Sequence, residues 1–272
     1  MSEAKVKPQV TPESVAEWWT SGVSDIAPNR IRLKGYAVED LMGNKGFADV
    51  IWLLLRGELP TAAQRALLEA AMIGGVDHGP FAPSMAMARM AISCGGGLNN
   101  AIGTAVNVLG DIHGGAGEQA MEIYERIAAR VAGGEALHEA TKAELPMKIV
   151  PGFGHRFHKL DPRAPRLLAL VEAAAKRGEV SGRYAAIGRE VEKVLAAKTG
   201  KKIPMNVDGV TAVAFCELGF APPLGRGLFC LARAVGACAH AWEEMQRGTR
   251  IKGPVPKEAT FKYVGPPDRE VP

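Results

Sequence analysis

The sequence predicts an all-α fold, and three observations carry that expectation. Helix-start signals and glycine or proline breaks bound most of its apolar runs. Alternation with a two-residue period is nearly absent. The runs are rich in alanine, and aromatic residues make up only 6% of the chain, a composition suited to helices packed close together.

The elements follow in order. Thr11-Pro12-Glu13 places a capping hydroxyl before a proline at the first helical position and leads into Val15, Trp18 and Trp19. Arg30 to Lys34 is the one short piece that reads as extended. Phe47 to Leu55 is a largely apolar helix ended by Gly57 and Pro60, and Thr61 caps the next. Further helices are expected over residues 82–93, 97–109, 115–132, 136–143, 164–177, 182–198, 207–218 and 223–246. Pro146, Pro151 and Pro204 set off residues 145–205 as a smaller subdomain, leaving 1–144 and 206–272 as a large helical domain with a tail. Two such bodies allow a cleft to open and close. The tail from Lys252 to Pro272 is rich in proline and is expected to lie over a neighbouring surface.

Composition narrows the function classes. A chain of 272 residues, 47% of them hydrophobic, can bury a large core and a small one. Its 33 basic and 29 acidic residues give a net charge of +4, with the cations scattered rather than gathered in runs, which argues against nucleic acid. The start MSEAKVKPQVTPES lacks the apolar centre of a signal peptide, and no apolar run reaches the roughly 18 residues of a membrane span. A cytoplasmic protein without a membrane partner is expected. Cys94, Cys216, Cys230 and Cys238 form no CxxC pair and read as reduced, packed thiols.

Four residues capable of proton transfer stand at glycine-flanked breaks between helices, where a side chain can face a cleft: His78, His113, His155 and Asp208. No two have the spacing of metal ligands on one helix or in an HxH pair, and no cysteine joins them, so no metal is expected. Asp208 also stands where a helix N-cap carboxylate is common. Arg233 lies in the apolar stretch Leu231 to Ala237, where burial without an anionic partner is costly.

The run Gly152-Phe153-Gly154-His155-Arg156-Phe157-His158-Lys159-Leu160-Asp161-Pro162-Arg163-Ala164 resembles the signature segment of the citrate synthase superfamily. Other segments resemble the family in its order: Ile31 to Tyr36 with Leu53 to Pro60, His113-Gly114-Gly115-Ala116, Asn206-Val207-Asp208, and Ala232 to Gly236. The resemblance spans about residues 30 to 272 and implies a multi-helix large domain with a smaller helical subdomain. It implies Claisen chemistry on an acyl-CoA: Asp208 as the base for the methyl proton, His113 as hydrogen-bond partner of the enolate oxygen, and His155 acting on the oxygen of the ketone or alcohol. It further implies His78, Arg163 and Arg233 as substrate-binding residues, and Gly152, Gly154 and Lys159 as contacts to CoA. No tightly bound cofactor is implied, since the CoA thioester is a substrate. The implied partners are an acyl-CoA with a small keto acid, or citryl-CoA, and a second copy of the chain in a homodimer or a multiple of one.

Two positions depart from the synthase pattern. Gly75 stands where synthases commonly carry a second histidine, and Gly253-Pro254 stands where a tail arginine precedes a proline, leaving Arg250 or Lys252 as substitutes. Asp77-His78-Gly79-Pro80 and Asn206-Val207-Asp208-Gly209 look like the citryl-CoA lyase module of ATP-citrate lyase, whereas His113 resembles the synthases. The leading expectation is therefore a citryl-CoA lyase-like enzyme, with a compact citrate or 2-methylcitrate synthase as the alternative. A catalytically silent acyl-CoA-binding subunit is a third, which the presence of both His155 and Asp208 disfavours.

Overall fold

The computed structural model describes residues 10–145, 149–252 and 262–271. Pro146, Gly253-Pro254, most of the N-terminal MSEAKVKPQVTPES segment and much of the tail lie outside these residues. The chain groups into two compact units, one ending at Glu69 and the other beginning at Ala70.

In the first unit, α1 (Pro12–Trp18) starts as expected, with the Thr11 hydroxyl accepting from the Ser14 amide and Ser14 returning the bond. The extended piece is Arg30–Leu33. It is the middle strand, β2, of a three-stranded antiparallel sheet with β1 (Ser24–Ala27) and β3 (Tyr36–Ala37). The outer strands escaped sequence reading because they are short and their outward residues do not alternate. After the single turn α2 (Val38–Leu41), α3 (Phe47–Arg56) buries Ile51, Trp52 and Leu53 and stops at Gly57, whose φ of +92° suits a residue without a Cβ. Thr61 and Gln64 form a reciprocal cap ahead of α4 (Ala62–Gly75), within which the first unit ends.

The second unit contains α5 (Pro83–Ser93), α6 (Leu98–Asn107), α7 (Ala116–Ala132), α8 (Leu137–Glu144), α9 (Arg163–Lys176), α10 (Arg183–Thr199), α11 (Val207–Glu217) and α12 (Pro222–Arg247). Helix α12 packs on α5, α6 and α7, and α11 packs on α7, α9 and α10. Met85, Ala88, Ile92, Ala101, Ala105, Ala237 and Ala241 form one close-packed cluster, so small side chains here bring helix backbones together. Helix α11 is apolar on all sides and buries every residue from Gly209 to Cys216, which makes it the central helix of this unit. Among the described residues, no helix is long and apolar enough to cross a membrane. Cys216 is buried but Cys94 is exposed, so the expectation of four packed thiols fails at Cys94, which lies at the exposed end of α5.

Candidate active site

Every residue singled out for chemistry lies in the second unit, mostly at helix ends. The start of α11 presents Asp208. Its N-cap is Asn206, whose side-chain oxygen accepts from the Asp208 and Gly209 amides at 2.9 and 3.2 Å, so the capping role considered for Asp208 belongs to its neighbour. The Asp208 carboxyl is thereby left free, and no hydrogen bond reaches it among the described residues. The residue is half-buried, and desolvation by the protein packed around its carboxyl pushes it above the usual carboxylate range against the pull of Arg233 and Arg163.

Two glycines bring the GFGH turn onto that helix start. Gly152 has a φ of +84°, and a Cβ there would come within 2.6 Å of the Gly209 Cα. The Gly152 carbonyl accepts from the Asn206 amide at 2.9 Å, and the Gly154 carbonyl accepts from the Asn206 side-chain amide at 2.7 Å. Gly154 N–H is bonded to the Pro204 carbonyl, so this turn's polar backbone serves the fold, and Gly152 is required by packing. Lys159 is exposed.

His113, in the loop between α6 and α7, directs Nε2 at the first turn of α5. The ring nitrogen accepts the Ser84 amide proton at 3.2 Å and lies 3.1 Å from the Ser84 hydroxyl. Burial and the charge of Arg233 hold this imidazole below its ordinary pKa. A neutral ring whose Nε2 accepts keeps its proton on Nδ1, so His113 is a neutral hydrogen-bond donor.

Arg233 is 3% exposed. Its Nε donates to the Gly75 carbonyl at 2.9 Å, NH1 reaches the Ser84 hydroxyl at 3.4 Å, and its guanidinium lies 4.7 Å from the centre of the Phe229 ring. The anionic partner expected from sequence is electrostatic rather than hydrogen-bonded: Asp208 and Asp77 are the carboxylates whose charge it feels. A Cβ on Gly75 would meet Phe229 and Ala232 of α12 at 3.4 and 3.5 Å, ordinary packing distances, so Gly75 faces that helix directly.

Arg163 opens α9, and its partner is Asp161, which sequence reading left out. The Asp161 carboxylate, 1% exposed, accepts from Arg163 Nε at 2.9 Å, from NH2 at 2.8 Å and from the Arg163 amide at 3.1 Å. It also accepts the Val207 amide at 3.0 Å, tying the arginine to the first residue of α11. Arg163 NH1 donates to the Gly74 carbonyl at 3.0 Å, which leaves one proton on each terminal nitrogen for a ligand. Burial alone would raise Asp161, but its bonds from Arg163 and Val207 outweigh it and hold the carboxylate ionised. An aspartate two residues before an arginine at a helix start was the available signal.

The loop carrying His78 is held by α12. A Cβ on Gly236 would overlap the Val76 carbonyl, so only glycine lets the two backbones meet. Asp77 is bonded to His240 at 3.2 Å, and His240 contacts Arg89, whose second ion pair is to fully buried Glu244. His78 and His155 then stand 4.8 Å apart between ring centres. A third imidazole, His158, unnoticed as a site residue in the sequence, lies 5.4 Å from His78 and 4.6 Å from His155, with Nε2 only 3.2 Å from His78 Nε2.

Residues 78 and 155 are far apart in sequence, so spacing gave no sign that three ring nitrogens would come within 4.8 Å of one another. Such a trio could hold a transition metal, but His155 Nδ1 already accepts the Phe157 and His158 amides at 3.0 and 3.2 Å. A neutral ring so bonded carries its proton on Nε2, which makes His155 a poor third ligand. Burial first, and then neighbouring positive charge, hold both His78 and His155 below the ordinary imidazole range.

The two candidates for the tail arginine are accounted for differently. Lys252 donates to buried Glu244 at 3.1 Å, while Arg250 lines a separate cavity of about 470 Å³ with Cys94 and Ile251.

The arrangement therefore gathers one carboxyl held toward neutrality, two arginines and neutral imidazoles, the equipment for moving protons beside a carboxylate-bearing ligand. The family model for the citrate synthase C-terminal domain matches residues 13–72 and 62–254. A citrate synthase of Acidithiobacillus ferridurans is 32% identical over 225 residues, 79% of this chain and 54% of that protein, and the chain spans about half the length of the curated relatives it matches. The solved citryl-CoA lyase of Hydrogenobacter thermophilus superposes with a TM-score of 0.82 at 34% identity, covering 93% of this chain and 97% of that one. Citrate synthase of Thermoplasma acidophilum, solved with carboxymethyl coenzyme A and oxaloacetate, gives a TM-score of 0.66 at 26% identity, covering 84% and 59%. With the family model matched over residues 13–72 and 62–254, most of its length, the chain belongs to the citrate synthase family.

Proposed function

We propose that this chain interconverts citryl-CoA with acetyl-CoA and oxaloacetate, and that cleavage is the net direction. The observation that carries the chemistry is Asp208: a carboxyl freed from capping by Asn206 and pushed upward by desolvation is shifted in the direction that favours proton transfer at carbon. In cleavage Asp208 gives its proton to the methylene carbon released from citryl-CoA. As the carbon–carbon bond breaks, the tertiary hydroxyl gives up its proton to solvent and its oxygen becomes the ketone, His155 donating a hydrogen bond from Nε2 to that oxygen, while His113 donates from Nδ1 to the thioester oxygen as it takes on enolate character. Arg163 and Arg233, with His78, hold the carboxylates, and exposed Lys159 meets CoA beside the turn that Gly152 and Gly154 shape. Residues 145–205 close over the bound thioester, and two copies of the chain, or a multiple of two, form the working enzyme.

Cleavage is favoured because the match to the citryl-CoA lyase of Hydrogenobacter thermophilus covers 93% of this chain and 97% of that one, and because Gly75 stands where a synthase commonly carries a histidine. The synthase reading draws on His113 and on the citrate synthases among the relatives. Mass analysis of all CoA species separates the two. Supplied citryl-CoA is expected to yield mainly acetyl-CoA and oxaloacetate, whereas free CoA accumulating with citrate from acetyl-CoA and oxaloacetate would establish the synthase.

A further inference from the structure

His78 stands in the loop between α4 and α5, so its place in the site depends on what orients that loop. Its neighbour Asp77 grips the backbone there, the carboxylate accepting from the His78 and Gly79 amides. The Asp77 side chain is itself 40% exposed, and without a partner it could turn to water instead. That partner is His240 on α12, whose Nε2 lies 3.2 Å from Asp77 Oδ1.

The other face of the ring decides which way this bond runs. His240 Nδ1 lies 3.2 Å from Arg89 NH1, and because a guanidinium has only donors, Nδ1 accepts. The ring's proton is then on Nε2, facing Asp77, so one hydrogen bond sets the tautomer that the other needs. Arg89 is held in turn. It is buried, and it pairs with Glu243 at 2.7 Å and with fully buried Glu244 at 2.6 Å. Glu244 takes a second cation, Lys252, at 3.1 Å. Two carboxylates meet two cations, a closed set that gives Arg89 no reason to swing away from the ring.

We propose that His240 is a positioning residue for His78: it holds Asp77, and through it the His78 backbone, in the orientation from which His78 meets a ligand carboxylate. This rests on the reading of His78 as a carboxylate-binding residue. His240 touches no reacting atom, and what it supplies is a donor whose direction Arg89 dictates. Leucine at position 240 would keep much of the packing and lose both hydrogen bonds. Glutamine offers an amide oxygen to accept from Arg89 and an amide nitrogen to donate to Asp77, so it would preserve the polarity of the link.

Steady-state consumption of citryl-CoA by His240→Leu and His240→Gln, with calorimetric binding of free CoA on the same samples, tests the assignment. His240→Leu is expected to raise KM for citryl-CoA roughly tenfold, as loss of a hydrogen bond to a charged group does, with a smaller change in kcat. His240→Gln should recover most of that loss, and both variants should bind free CoA as wild type does. Asp77 is exposed, so Asp77→Asn should fold even if His240→Leu does not, and it is expected to raise the same KM without weakening CoA. A role confined to stability would lower the melting temperature and leave this split between KM and kcat absent. Wild-type KM in His240→Leu or Asp77→Asn, a loss in His240→Leu that glutamine does not recover, or equal weakening of free CoA would each overturn the proposal. Wild-type KM in His78→Ala would instead sink the reading of His78 on which it rests.

Discussion

Asp161 and Asp208 lie on either side of the start of α11, and their surroundings drive them apart. Asp161 accepts four hydrogen bonds, three from Arg163 and one from the Val207 amide, and is held ionised although it is almost wholly buried. Asp208, one residue beyond Val207, receives none among the described residues and is pushed upward by desolvation. Both feel Arg163, so nearness to positive charge does not distinguish them. What differs is direct hydrogen bonding to the ionised form, which offsets desolvation at one carboxyl and is withheld at the other. The saturated carboxylate suits architecture, and the unsatisfied one suits proton transfer.

Three substitutions sharpen that contrast, from the largest expected effect to the smallest. Asp208→Asn should slow exchange of the acetyl-CoA methyl protons by roughly 10²–10⁴-fold, the span general acid–base catalysis commonly supplies. Because the ionised carboxyl is disfavoured in the folded state, its removal should leave the melting temperature unchanged or raised. Deuterium wash-in and calorimetry on the same sample would check both, and a clear drop in Tm would contradict the account of a carboxyl without partners.

Asp161→Asn should do the reverse to stability, lowering it by roughly 1–3 kcal/mol because the half-buried Arg163 guanidinium loses its charge partner and the buried side chain loses charge-assisted hydrogen bonds. The pH dependence has a definite sign. The folded-state pKa of Asp161 is depressed, so its stabilising contribution is present above the unfolded value near 3.9 and is lost as pH falls through the folded one. Denaturant titrations should therefore show wild type and variant converging at strongly acid pH, and a constant gap down to the lowest pH would count against the assignment.

The smallest effect belongs to the cap. Asn206→Ala should cost about 1 kcal/mol of stability by urea denaturation, as caps usually do. It should also lower activity, since the same side chain donates to the Gly154 carbonyl in the loop carrying His155. Loss of stability with unchanged kinetics would separate the cap from the site.

The sequence by itself determined the helices of the second unit to within a residue or two, because caps, prolines and glycine stops are local signals and α5 to α12 are long enough to show them. It also singled out His78, His113, His155, Asp208 and Arg233, since each is a chemically capable residue in a setting where that residue type is unexpected. The short strands β1 and β3 were not legible, having too few residues for a period to appear. Only the tertiary structure decided which residue caps α11, that Asp161 binds Arg163 and Val207 together, and that His158 meets His78 across 80 positions of chain. Hydrogen bonding and desolvation depend on what stands within a few ångströms in space. In a helical fold those neighbours are brought together by packing, such as the close approach of Gly236 to the Val76 backbone, which no local pattern records.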